Sequence, residues 1–240
     1  MVMDKGLSLR QVEDMIASGG EYIDIVKLGF GTSIITKNLK EKLKLYKEAN
    51  IKTYFGGTLF ELFIAKGMFD DYRKMLDKYD MELAEVSDGS IILPHERKCE
   101  YISKLTEQVV VMSEVGSKDE TIIIPPYKWI SLMQSELDAG AWKVIGEARE
   151  GGTVGLFRAS GEVRMGLVEE ILTQIPAEKI LWEAPQKTQQ IWFIHLLGTN
   201  VNLGNISPVE IIPLETLRLG LRGDTFDLFL SEEDNARLTE

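Results

Sequence analysis

Four carboxylates stand where apolar runs of this sequence stop. Asp88, Glu114, Glu147 and Glu183 each follow a short β-branched or aromatic-rich stretch, at residues 82–86, 109–112, 143–145 and 180–182. A charged group at the end of a buried strand is costly unless it is paired or bound to a metal. Two arrangements meet that demand. One is a divalent-metal site, for which oxygen-only ligands select a hard cation such as Mg²⁺. The other is a set of salt bridges with Lys27 and Arg149. Zinc chemistry fits neither histidine. His95 follows Pro94 at a predicted helix start, and His195 lies in a helical stretch far from any strand end. Cys99 reads as an ordinary helix residue.

Other polar residues fall at the same kind of place. The first apolar run ends in Asp4–Lys5, the second contains Lys27 before Gly29, and the third ends in Gly56-Gly57-Thr58. Arg149 and Glu150 follow Glu147 closely. Gly29-Phe30-Gly31-Thr32-Ser33 and Gly56-Gly57-Thr58 superficially resemble phosphate loops. Neither ends in Gly-Lys-Ser/Thr, and there is no GxGxxG with an acidic partner, so both read as turn glycines. The segment Asn202-Leu203-Gly204-Asn205-Ile206-Ser207-Pro208 is stronger. It leads into a predicted short helix, whose N-terminal N–H groups and dipole suit a phosphate. Asn202, Gly204 and Asn205 are the expected contacts.

These residues need a scaffold that brings strand ends together. Eight apolar runs, at residues 2–3, 22–28, 52–55, 82–86, 109–112, 143–145, 180–182 and 200–203, alternate with helical patterns. Leu9, Val12 and Ile16 repeat at three and four residues, as do Leu167, Val168, Ile171, Leu172 and Ile175. Strand then helix, repeated, means parallel βα units with right-handed crossovers. An open sheet of five or six strands would leave two units over. Eight units in 240 residues predict a single (β/α)8 TIM barrel over residues 1–230, whose strand ends converge on one face. A short extra helix is expected from about Ser207. Pro213 is expected to interrupt the pattern, with a longer helix starting near it. Residues 231–240, polar and acidic, are expected to form a tail.

Composition narrows the partners. With 27 Lys and Arg against 38 Asp and Glu, the net charge is −11, which disfavours nucleic acid and anionic membranes. An anionic substrate then needs local lysines, arginines, a metal or backbone N–H groups. No apolar run reaches the ~18 residues of a membrane span, and the opening Met-Val-Met-Asp-Lys-Gly does not read as a secretory signal. The single Cys99 makes no internal disulfide, which predicts a cytoplasmic protein. Oligomeric state, including a homo-oligomer, is left open.

At these residues the chain resembles the phosphosulfolactate synthase family along nearly its whole length. The resemblance runs through Tyr22-Ile23-Asp24-Ile25-Val26-Lys27, Gly31-Thr32-Ser33, Gly56-Gly57-Thr58-Leu59-Phe60-Glu61 and Glu85-Val86-Ser87-Asp88-Gly89. It continues through Ser113-Glu114-Val115-Gly116, Glu183-Ala184-Pro185-Gln186-Lys187, Val201-Asn202-Leu203 and Leu214-Glu215-Thr216-Leu217-Arg218. It ends in Gly220-Leu221-Arg222-Gly223-Asp224-Thr225-Phe226. Each motif is weak alone, and their order and spacing make them specific. Two departures stand out. The family tends to read Arg-Glu-Ser-Gly where this chain has Arg149-Glu150-Gly151-Gly152, so a hydroxyl is missing from an expected substrate loop. Relatives also carry residues upstream of the first strand, so a shortened first strand or a trimmed start is expected here.

The resemblance implies a Mg²⁺-dependent carbon–sulfur lyase. Sulfite adds to C3 of phosphoenolpyruvate, and C2 is then protonated to give (2R)-phospho-3-sulfolactate. Such a reaction needs stabilisation of carboxylate charge and a general acid. By resemblance, Lys118 is the acid, with Lys27 as the next candidate. Lys27, Arg149 and Arg222 are candidates for neutralising phosphate and sulfite, and Lys5 and Gly151 are further candidates for substrate binding. Two rivals stay open: a non-enzymatic heat-stress-associated member of the same family, and another enolate-forming barrel enzyme acting on a phosphorylated acid.

Overall fold

The computed structural model describes residues 1–117 and 121–239. Eight short strands are parallel to their ladder neighbours: β1 (Val2–Asp4), β2 (Ile25–Leu28), β3 (Lys52–Phe55), β4 (Leu83–Val86), β5 (Val110–Val115), β6 (Lys143–Gly146), β7 (Ile180–Glu183) and β8 (Leu203–Gly204). Backbone ladders run β1-β2-β3 and β4-β5-β6-β7-β8. The ring closes between β8 and β1 through a parallel bridge from Val2 to Ile206, with Met3 N–H donating to the Ile206 carbonyl at 2.9 Å. Among the described residues no ladder joins β8 to β1 beyond that single bridge, and none joins β3 to β4, although the two strands lie side by side. A side chain spans that seam, because Glu85 on β4 accepts the Gly57 N–H at 2.6 Å.

The helices follow the strands in the order of a TIM barrel. They are α1 (Leu9–Gly19), α2 (Leu39–Glu48), α3 (Gly57–Ala65), α4 (Phe69–Lys78), α5 (His95–Thr106), α6 (Pro126–Asp138), α7 (Met165–Leu172), α8 (Lys187–Leu197), α9 (Ile211–Arg218) and α10 (Glu232–Thr239). Their boundaries have local causes. Ser8 caps α1 in a capping box with Gln11. Pro126 opens α6, where its missing N–H costs nothing. Gly140 turns the chain out of α6 with φ +110°. None of the described helices is long and apolar enough to cross a membrane.

The expected break near Pro213 is present. A longer helix, α9, starts at Ile211 with Pro213 as its third residue, in the first turn, where its nitrogen has no intrahelical acceptor to lose. The expected short helix before it is a single 3₁₀ turn, Pro208–Glu210. Residues 232–239 are helical, a structure that their acidic composition did not announce.

Strand alternation sets the interior. Successive side chains on a strand point to opposite faces, so residues two apart share a face. Ile25, Leu83, Met112, Ile145 and Leu181 are buried in one apolar cluster. Two residues further along each of those chains stand Lys27, Glu85, Glu114, Glu147 and Glu183, all buried. The alternate residues Val26, Val144 and Trp182 pack into the other cluster, with Val168, Ile171 and Phe193 of the helices. The barrel therefore holds an apolar layer with a charged layer stacked on it at the C-terminal ends of the strands.

A candidate metal and anion site at the strand ends

Lys27 sits at the centre of the charged layer. Its ammonium lies 3.0 Å from Glu85, 3.2 Å from Glu183 and 3.5 Å from Glu114. Burial alone would pull that ammonium down, but Glu85, Glu183, Tyr54 and Glu114 outweigh it and hold Lys27 well above its ordinary value. Glu183 is fixed at both oxygens: Oε1 faces Lys27 and Oε2 accepts the Ala148 N–H at 2.9 Å. Burial pushes Glu183 up to about 7, and the neighbouring Glu114 and Glu85 add to the push against the opposing effect of Lys27.

Glu114, Glu147 and Glu183 each offer a carboxylate oxygen, and the three oxygens lie within 4.8 Å of one another. All three residues are buried. Oxygen-only donors, close together and crowded with negative charge, match what a hard divalent cation requires. Glu183 is raised first by its burial and then by the negative charge of Glu114 and Glu85. The donor set fits a cation of the Mg²⁺ class.

The approach to the cluster is tightly built around Glu147. A Cβ on Gly155 would fall 2.0 Å from the Glu147 carbonyl oxygen, at φ +58°. One on Gly116 would fall 2.5 Å from the Glu147 Cβ. These glycines let neighbouring chain segments press against the residue that presents the carboxylate. Asn205 lines the same cavity and donates to the Ala148 carbonyl at 3.3 Å, with its own backbone at φ +57°.

The remaining predicted residues divide. Arg149 is exposed and lines both this cavity and the adjoining groove between the β4 and β5 loops. Lys5 forms an ion pair with Glu150, joining the end of β1 to the loop after β6. Gly151 lies exposed on that loop, and its carbonyl accepts from Gln186 at 2.6 Å. Gly204 is packed against Met1 and Leu181. Three expected residues do not join the cluster. Asp88 spends its carboxylate on Lys98, at 2.9 Å. Arg222 lies beside Asp224, which pairs at 2.6 Å with Lys187. Asn202 precedes β8 instead of ending it, and its amide donates to the Ile180 carbonyl at 3.2 Å, at the start of β7. That is the end of the strand opposite to the carboxylates. Lys118 lies outside the described residues.

Glu85 was missed. The residue chosen for the fourth strand was its last polar one, Asp88. The signal was present, however: Leu83-Ala84-Glu85 repeats the apolar-x-charged step of Ile25-Val26-Lys27, Met112-Ser113-Glu114, Ile145-Gly146-Glu147 and Leu181-Trp182-Glu183. His95 and His195 stand on α5 and α8, away from the cluster.

Comparison with known proteins places the chain in a family. The (2R)-phospho-3-sulfolactate synthase (ComA) family matches residues 1–224. A phosphosulfolactate synthase of Methanocaldococcus jannaschii is 43% identical over 234 residues, covering 94% of this chain and 92% of that protein. One from Bacillus subtilis is 41% identical over 231 residues, covering 95% and 92%. Among solved structures, a 3-hexulose-6-phosphate synthase superposes with TM-score 0.55 at 15% identity, covering 91% of this chain and 97% of that one. A DHDPS from Cyanidioschyzon merolae gives 0.57 at 12%, covering 98% and 78%. At those identities the two structures speak for the TIM-barrel fold alone. The matches across nearly the full length establish that this chain belongs to the (2R)-phospho-3-sulfolactate synthase family.

Proposed function

We propose that this protein joins sulfite to phosphoenolpyruvate, forming a bond from sulfur to C3 and delivering a proton to C2, to yield (2R)-phospho-3-sulfolactate. The observation that carries the reading is the buried trio Glu114, Glu147 and Glu183 beside Lys27, in a chain of this family. The sulfur lone pair of sulfite attacks C3. The C2–C3 π electrons move toward the carboxylate, and a proton added at C2 completes the addition with no bond to phosphate broken. A divalent cation held by the three glutamates, which we take to be Mg²⁺, supplies charge stabilisation to a substrate carboxylate.

The protein's own residues have distinct tasks in this reading. Glu85 and Lys27 brace the ligand layer, and the Ala148 N–H orients Glu183. Arg149, at the mouth, supplies positive charge for the anions against the chain's net −11. Asn205, at the end of the eighth strand, is the better placed of the two asparagines for the phosphate, since Asn202 faces the other way. A non-enzymatic heat-stress-associated role predicts loss of the buried charges, whereas Lys27, Glu85, Glu114, Glu147 and Glu183 are all present. The cytoplasm supplies both substrates in this reading, and the single cysteine suits it.

The test is direct. Purified protein incubated with phosphoenolpyruvate, sulfite and Mg²⁺ should form the phosphorylated sulfonate, seen by mass spectrometry. Unchanged phosphoenolpyruvate under those conditions, with the protein folded, would refute the proposal.

A further inference from the structure

A second buried charge cluster lies behind the β5 ligand. Lys98, on α5, is 1% exposed. Its ammonium donates to Asp88 Oδ1 at 2.9 Å and to the Glu114 carbonyl at 2.6 Å, and it pairs with Glu136 Oε1 at 2.8 Å. Two hydrogen bonds and an ion pair thus converge on one ammonium. Glu136, on α6, is also buried, and His95 Nδ1 approaches it at 3.8 Å.

The backbone explains why a lysine is needed there. The β4–β5 ladder ends with Val86 paired to Ser113. The Val115 carbonyl faces β6, where it accepts the Glu147 N–H at 3.0 Å. Alternation along β5 therefore turns the Glu114 carbonyl toward β4, one residue past the point where β4 stops pairing. Lys98 fills that place with its ammonium. It holds the peptide of the very residue whose carboxylate belongs to the metal trio.

We infer that Lys98, anchored by Asp88 and Glu136, is a positioning residue that sets Glu114 for metal binding. This rests on the metal site proposed above. It gives Asp88 a role one layer behind the ligands, and it gives the buried Lys98–Glu136 pair a purpose beyond filling space. The expected consequence is specific: loosening the clamp weakens metal affinity by the ~10–100-fold that outer partners of ligands contribute, not merely thermal stability.

The experiment titrates Mn²⁺ alone, followed by electron paramagnetic resonance, into the wild type, Lys98→Met/Glu136→Gln and Leu105→Ala. The double variant removes both members of a buried pair, so neither is left as an uncompensated charge. Leu105, buried on the same helix, has no hydrogen bond to the clamp and controls for loss of stability. We expect the Mn²⁺ Kd of the folded double variant to rise at least tenfold, with Leu105→Ala within twofold of wild type. A double variant within twofold of wild type overturns the clamp while leaving the metal site intact. Equal weakening in Leu105→Ala overturns it as well, since stability alone would then explain the loss. A wild type that binds no Mn²⁺ overturns the metal site and the clamp with it. If the double variant does not fold, Asp88→Asn carries the test, because its carboxyl is 27% exposed and tolerates neutralisation. A Kd raised at least threefold supports the clamp, and a smaller change rejects it.

Discussion

Lys27 Nζ lies 3.2 Å from Glu183 Oε1, a contact between residues 156 positions apart in the chain. It joins the second strand to the seventh across the barrel interior. The same ammonium reaches Glu85 and Glu114, so one cation ties together four strands that share no single ladder. Removing one partner of a buried ion pair leaves the other charge uncompensated, at about 3–5 kcal/mol. Lys27→Met should therefore lower thermal stability by roughly that amount. A bound divalent cation stabilises the folded state by mass action, so saturating Mg²⁺ should recover part of the loss and EDTA should abolish the recovery. Thermal melts in both conditions decide it. A Lys27→Met protein as stable as wild type would mean that the carboxylates are not crowded as the geometry shows.

The ligand trio makes a prediction about dependence on metal. Activity should vanish in EDTA and return with Mg²⁺. Glu183→Gln, Glu147→Gln and Glu114→Gln each keep shape while removing a negative oxygen. Each should weaken metal affinity by at least the ~10–100-fold seen for outer partners of ligands, and turnover should fall with it. Steady-state rates across a Mg²⁺ titration separate a loss of affinity from a loss of maximal rate. Full turnover in rigorously metal-free protein would remove the metal from the mechanism. Unchanged titrations in all three variants would move it to other residues.

Three glycines around the sixth strand should respond oppositely to substitution. Gly155→Ala places a methyl 2.0 Å from the Glu147 carbonyl at a positive φ, and Gly116→Ala places one 2.5 Å from the Glu147 Cβ. Backbone strain and overpacking each cost ~1–3 kcal/mol, so both variants should be clearly destabilised and slow. Nothing lies within 4 Å of a Cβ on Gly151. Gly151→Ser, which restores the hydroxyl usual in the family, should change stability by no more than ~0.5 kcal/mol. It should also leave the KM for phosphoenolpyruvate equal or lower. Chemical denaturation and steady-state kinetics on the three proteins test the contrast. A Gly151→Ser protein as damaged as Gly155→Ala would contradict the geometry.

Much of this arrangement was legible in the chain, for a reason that also explains the errors. Parallel strands buried on both faces read as apolar runs, so a charge inside the layer stands out. That is why Glu114, Glu147, Glu183 and Lys27 could be named from residue types. Glu85 was hidden by its neighbour Asp88: both are acidic, and only the two-residue step from Leu83 tells which of them faces inward. Asn202 was misplaced because the eighth strand has only two residues, Leu203 and Gly204. With so short a run, hydrophobicity does not reveal which flank is its end. Pro213 pointed to a helix start because proline fits the first turn, and α9 begins two residues before it. The salt-bridge and metal alternatives were not exclusive. Lys27 braces three of the acids, and the trio with Glu147 still presents three oxygens to a cation.

The proton for C2 distinguishes two lysines. Lys27 is the poorer donor, because the carboxylates around it hold its proton well above the ordinary lysine value. Giving that proton up would leave a neutral amine among buried negative charges. Lys118 remains. It follows Glu114-Val115-Gly116 in the family motif, and its neighbour Ser117 lines the groove shared by Lys98 and Arg149. An ordinary lysine, titrating near ~10.4, is a protonated ammonium at neutral pH and needs no special tuning to donate. General acids commonly contribute ~100–10,000-fold. Lys118→Ala should therefore lower kcat within about that range, while binding of phosphoenolpyruvate, measured by isothermal titration in the absence of sulfite, survives. Lys118→Arg should keep the positive charge but not the chemistry, since a guanidinium releases its proton too reluctantly. If Lys118→Arg turns over like wild type, the residue acts through charge alone and the proton comes from elsewhere. A near-normal kcat in Lys118→Ala would remove the residue from the reaction altogether.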